Sequence, residues 1–429
     1  MMQTKKTHWP SLLILIVLGL GAAFVLLMAL GLGVSSVISL FSKNGDPAGQ
    51  MIGSFAFGFE ILILLVCSWF VLQKTMGREQ ADAPFIFPFA DWQIIAVIGV
   101  MVTSAVIGGF IAYSEIAWLG WILLPILTIF VIVPPIWLLY GIGTKGIELG
   151  PRWRFFGIFG LSMTIGPVLM IVLEMVLLVV IIIAGAIVLS VQQPVLFQEL
   201  LKLANILKEE TNQDVILKLL APYISNPLVL ATAIGYVALF VPLIEELFKP
   251  LAVWIFAKKI ESPAQGFAMG VLSGAAFALI ESLNASGDGT VSWPAIVSVR
   301  AGTSLLHMTA SGLVGWGIVS AFHEKRPSKF FAAYFTAAAI HGLWNACAVG
   351  VGVSMIGEYI GKPEWLYNII PAMLCGMSVL AIGMFAVLIA ANRKLRNPPS
   401  SPTLPTEGEG NSPLPKGEGQ SEGKDEGVQ

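Results

Sequence analysis

Charge is what this chain has least of. Only 12% of its 429 residues are Asp, Glu, Lys or Arg, and 56% are hydrophobic. A soluble domain carries about 25% charged residues, so a soluble globular enzyme is excluded. Cysteine is scarce: Cys67, Cys347 and Cys375 each fall in an apolar run, with no CxxC and no Cys/His zinc spacing. They read as small core residues and not as a disulfide framework or a zinc module. No aspartate falls in any long apolar run, which excludes an aspartyl dyad working inside a membrane. There is no HExxH helix, and GVLSG at 270–274 has the wrong spacing for a serine nucleophile in a GxSG setting. The net charge of −2 gives no reason to expect a nucleic-acid partner.

Long apolar runs are abundant. A membrane-spanning helix needs about 20 apolar residues. Ten segments qualify: 11–33, 51–73, 93–113, 117–142, 155–191, 227–257, 263–284, 300–322, 330–352 and 366–391. The first is too long for a signal-peptide core and reads as an uncleaved span. The fifth is long enough to tilt, leave the bilayer or kink at Gly166-Pro167, and the sixth holds Pro242 and Pro250. Basic clusters occur at Lys5-Lys6, Lys74/Arg78, Lys145/Arg152/Arg154, Lys258-Lys259, Lys325/Arg326/Lys329 and Arg393/Lys394/Arg396. They fall on alternate loops, as the positive-inside rule requires. The expected protein is all-α and polytopic, with about ten transmembrane helices and both termini cytoplasmic.

Composition divides the chain further. Residues 1–192 form an N-terminal accessory half of five spans. Residues 193–226 place Leu196, Leu200, Leu203 and Leu207 on one helix face, away from Lys202, Glu209 and Glu210, an amphipathic pattern suited to the extracytoplasmic membrane surface. Residues 227–352 form a chemical core, and 353–396 a last span. Residues 397–429 are rich in Pro, Gly, Glu and Ser and are expected to be a disordered acidic tail.

The core concentrates ionisable groups where they are expensive. A charged side chain at mid-membrane costs roughly 2.5 to 3.5 kcal/mol on insertion scales. Glu245 and Lys249 are four apart in EELFK, acid before base on one helix face, and Glu246 points about 100° away. Phe277 and Glu281 are four apart in FALIE, and Gly270, Gly274, Ala275 and Ala276 on the same helix permit close packing. Arg300 and His307 are seven apart; His341 and Asn345 are four apart. Taken singly, each has a bland reading, whether border charge, interfacial anchor or helix–helix hydrogen bond. Together, on four successive spans, they describe a polar site inside the membrane.

Carboxylate and imidazole leave three chemistries open. A glutamate deprotonates a water while His and Asn stabilise the oxyanion of an amide hydrolysis. The same groups bind a divalent metal. Or they relay protons in an ion-coupled transporter that also uses Glu60 and Glu174. No inverted repeat relates the two halves, as many transporters would show.

The order EExxK, FxxxE, R-x6-H and HxxxN resembles the PrsW family of intramembrane proteases, within the superfamily of CAAX prenyl endopeptidases and bacteriocin-processing proteases. The resemblance rests on Glu245-Glu246-Leu-Phe-Lys249, Phe277-Ala-Leu-Ile-Glu281, Arg300 with His307, and His341-Gly-Leu-Trp-Asn345, within residues 227–352. It implies a glutamate-dependent endopeptidase that cuts a membrane-anchored protein, such as an anti-sigma factor, in a bacterial plasma membrane. Glu245, Glu246, Glu281, His307, His341 and Asn345 would then be catalytic, and Lys249, Arg300 and Phe277 supporting. No cofactor is expected on this reading, with room left for a divalent metal such as zinc. One geometric condition follows. A sixth span running straight from Pro227 places Glu245 too deep to meet Glu281, so that span must start late, near Gly235, or bend at Pro242; the late start, with the preceding stretch packed above the bilayer, is the expectation.

Overall fold

A computed structural model describes residues 8–42, 45–210, 212–224, 227–360 and 368–396; the expected acidic tail at 397–429 lies outside them. Among the described residues there is no strand, and ten helices are long and apolar enough to cross a membrane. The first five are α1 (Trp9–Ser42), α2 (Pro47–Thr75), α3 (Gln93–Tyr113), α4 (Ala117–Thr144) and α5 (Arg152–Gln192). Two amphipathic helices follow, α6 (Pro194–Leu207) and α7 (Gln213–Ile224). The sixth span is composite: α8 (Pro227–Gly235), a π-turn (Tyr236–Phe240), α9 (Val241–Phe248) and α10 (Leu251–Phe256). The remaining four are α11 (Pro263–Asn284), α12 (Trp293–His323), α13 (Pro327–Ile360) and α14 (Ile370–Arg396).

Local chemistry sets several of these starts. Asp46 precedes Pro47, and its Oδ1 accepts from Gly49 N–H at 2.9 Å. Ser262 precedes Pro263, and its Oγ accepts from Gln265 N–H at 3.1 Å. Both combine an N-cap oxygen with a proline whose missing N–H has no partner to lose. Pro167 sits inside α5 without interrupting it. At 41 residues and about 1.5 Å per residue, α5 is far longer than a bilayer core is thick, and its second half, from Ile171 onward, is largely exposed.

The centre of the bundle is α11, which packs on α12, α5, α4 and α2. Glycine makes the α11–α12 contact possible. A Cβ on Gly274 would strike the His307 carbonyl oxygen and lie 2.7 Å from Met308 Cα. One on Gly270 would strike the Ser311 carbonyl and stand 3.0 Å from Cα of Gly312 and Gly315. The two backbones therefore touch, as small-residue stripes allow in membranes. α5 belongs to the same packing unit. Ser162 and Ser273 share a hydrogen bond at 2.9 Å. The buried Arg154 donates to Glu261 Oε1 at 3.0 Å, to Gln265 Oε1 at 2.9 Å and to the Lys259 carbonyl.

Candidate active site

The sixth span does not start late as expected: it is wound from Pro227, and its irregularity falls at residues 236–240, immediately before Pro242. Val241 N–H reaches back five residues to the Tyr236 carbonyl. Pro242 has no N–H to offer Val237. The Val237 carbonyl is thus left without a backbone donor, and Asn345 Nδ2 supplies one at 3.0 Å. Gly342 lies beside Ala238, where a Cβ would strike the carbonyl oxygen. Tyr334 OH donates to the Leu243 carbonyl at 2.7 Å. On the other side, Tyr236 OH donates to the Glu174 carbonyl of α5 at 3.0 Å. A π-turn inserts one residue into the helical register, so the two glutamates of α9 take a rotation that a straight helix would not give them. α13 and α5 hold them there.

Lys249 stands at the meeting point. Its Nζ lies 2.7 Å from Glu245 Oε2, 2.9 Å from Glu246 Oε1, 2.8 Å from His307 Nδ1 and 3.5 Å from His341 Nδ1. The ring of Phe277 is 4.5 Å from the ammonium, a cation–π contact, and packs edge-on against His307 at 5.0 Å. Lys249, Glu246, His307 and His341 are buried, whereas the Glu245 side chain is 14% exposed.

The partners assign the tautomers. An ammonium only donates, so His307 Nδ1 accepts from Lys249 and its Nε2 carries the proton, in ion-pair contact with Glu281 Oε2 at 2.6 Å. His341 Nδ1 is 2.8 Å from the Glu246 carboxylate, which only accepts, so Nδ1 carries the proton. Its Nε2 keeps a lone pair 3.7 Å from Glu245 Oε2. Arg300 Nη1 donates to Glu281 Oε1 at 3.0 Å, so Arg300 is tied to the site and is no simple interfacial anchor.

The structure thus brings Glu245, Glu246, Lys249, His307 and His341 together and attaches Glu281 and Arg300 through His307. Asn345 is placed differently: one amide N–H serves the π-turn, and the other is the donor it has left. Glu60, buried on α2, accepts from Asn284 Nδ2 at 2.8 Å. Sequence reasoning missed Tyr334 and the Val237 carbonyl. The available signal was Pro242, whose missing N–H guarantees an unserved carbonyl upstream. A cavity of about 640 Å³ lies elsewhere, lined by Phe85, Phe87, Lys145, Glu148 and Glu261 among others, and includes none of the cluster.

The donor set suits a divalent metal in kind. Glu245, Glu246, His307 and His341 each offer one ligand atom, all within 4.8 Å of one another. Two carboxylates and two imidazoles are ligands for zinc and its neighbours. Glu281 on the far nitrogen of His307 is the carboxylate–histidine pairing that orients metal-bound imidazoles. Glu246 Oε2 is buried without a hydrogen-bond partner. The Lys249 ammonium stands among these donors.

A family model described as PrsW family intramembrane metalloprotease matches residues 150–380, more than half of the chain. The match takes in α5 and the amphipathic helices as well as the four spans that carry the cluster. No curated protein and no solved structure matches the chain.

Proposed function

The chain belongs to the PrsW family of intramembrane metalloproteases, and we propose that its Glu245-centred cluster hydrolyses a peptide bond of a membrane-anchored protein. It is a multi-pass membrane protein and an intramembrane protease; the residues, the substrate and the topology are our reading. The observation that carries it is the gathering of two glutamates, two histidines and a lysine from three spans around a single point, in a chain whose spans are otherwise apolar.

Glu245 is the proton carrier of choice. It is the partly exposed carboxylate of the pair, while Glu246 is fully buried and bonded to Lys249 and His341. A water beside Glu245 gives it a proton and attacks the scissile carbonyl carbon. Negative charge develops on the carbonyl oxygen, against the Lys249 ammonium and the free N–H of Asn345. Collapse of the tetrahedral species breaks the C–N bond, and Glu245 returns the proton to the leaving amine. The products are a carboxylate and an amine. His307, fixed by Glu281, and Glu246, fixed by His341, hold Lys249 in place. A divalent metal held by Glu245, Glu246, His307 and His341 would supply Lewis-acid polarisation and a more acidic water.

The alternation of basic loops supports a topology with both termini and the Lys258-Lys259 turn on the cytoplasmic side. A single-span protein such as an anti-sigma factor fits as substrate. The test is cleavage of a single-span reporter in proteoliposomes by the wild type and the Glu245→Gln and Glu246→Gln variants. Full cleavage by both variants would refute the assignment.

A further inference from the structure

Three of the four groups that would hold a metal already contact a cation that belongs to the chain. Lys249 Nζ donates to Glu246 Oε1 at 2.9 Å, lies 2.8 Å from His307 Nδ1 and forms an ion pair with Glu245 Oε2 at 2.7 Å, while His341 stands at 3.5 Å. Phe277 closes the ammonium in from a further side at 4.5 Å. A divalent metal drawn to the same atoms would bring two like charges into contact.

We propose that Lys249 is the resident cation of this site, and that the Lys249 ammonium and a divalent metal hold Glu245, Glu246, His307 and His341 in turn, never together. Metal then enters only as the lysine side chain leaves. The lysine is a built-in competitor that sets how much free metal the protein needs before it loads. This deepens the active-site reading above and rests on the same cluster, but it is tested by binding and not by cleavage. A failure of the catalytic assignment leaves the binding result standing, and the reverse.

The experiment is a Co²⁺ titration of the full-length protein in detergent, read by the visible absorption of tetrahedral cobalt. The wild type is expected to bind weakly. Lys249→Met should bind one Co²⁺ at least about tenfold more tightly, Lys249→Arg should stay close to the wild type, and His341→Ala in the Lys249→Met background should abolish the gain. Tight stoichiometric binding by the wild type, or no gain in a folded Lys249→Met protein, would overturn the proposal. The wild type alone also decides it if the variant does not fold. A membrane-permeant amine reagent, with modification located by mass spectrometry, should label Lys249 more when Co²⁺ is bound than when it is absent. Equal labelling of Lys249 in both states would count against displacement.

Discussion

Asn345 donates to the Val237 carbonyl, a backbone acceptor that the π-turn and Pro242 together leave without a partner. This contact joins α13 to the segment that sets the rotation of Glu245 and Glu246. Removing the donor exposes a carbonyl to a poorly hydrated interior, a loss of about 1 to 3 kcal/mol. Asn345→Ala should therefore lower the thermal midpoint and the cleavage rate together. If its free N–H also meets the oxyanion, kcat falls by about 10²- to 10³-fold, beyond what the lost stability explains. Thermal unfolding measured beside kcat and KM separates the two effects.

The two glutamates should differ in kind. Glu245→Gln removes the proposed proton carrier and should cost about 10²- to 10⁴-fold in kcat with little change in unfolding. Glu246→Gln strips a fully buried partner from Lys249 and His341, and breaking a buried ion pair costs about 3 to 5 kcal/mol. Loss of activity in Glu246→Gln should come with a clear loss of stability. Equal stability of the two variants would argue against this division of labour.

Glu281 acts on the site through His307. Glu281→Gln should cost about 10- to 100-fold, as carboxylates behind functional histidines do, and should add little once His307 is replaced by Ala. A double-mutant cycle on cleavage rate measures this coupling. Additive losses would place Glu281 in contact with substrate instead.

Gly274→Leu should force α11 from α12 where Gly274 meets the His307 carbonyl, separate Glu281 from His307, and abolish cleavage with a stability loss of at least about 1 to 3 kcal/mol. Gly185→Ala is the matched control, since nothing lies within 4 Å of the Cβ it would add. Unfolding and cleavage of the pair, in the same detergent, give the comparison.

The spans were legible because apolar length alone marks a helix that crosses lipid. The ten runs read from sequence overlap the ten helices, the largest shifts being seven to nine residues, at the C-terminal ends of α1 and α13 and the start of α12. The polar constellation was legible for a related reason: charge in such a run has a purpose. What escaped was register. YVALF carries no glycine or proline, and nothing in it distinguishes a π-turn from an α-turn. The need for it showed only as a conflict of depth between Glu245 and Glu281. Lys249 read as a partner of Glu245 from its spacing of four, yet its contacts with His307 and His341 join spans far apart in sequence. No local pattern carries those contacts. The assignment of Asn345 to the Val237 carbonyl likewise depends on an acceptor created in another helix.

The gathering of polar groups on α8–α13 also bears on how the chain enters the membrane. The spans carrying the site have mean hydropathies of 1.7, 1.6, 1.4 and 1.3, and the other six lie between 2.4 and 3.1. Insertion of a helix is driven by its own transfer from water to lipid, so these four are the weakest inserters in the protein. α11 and α12 are also the two most enclosed by neighbouring helices, and glycines on both let their backbones meet. The six apolar spans are the ones able to partition unaided. The spans that carry the cluster pack in pairs, α11 against α12 and α13 against the sixth span, so their place in the membrane depends on neighbours more than that of the six apolar spans does.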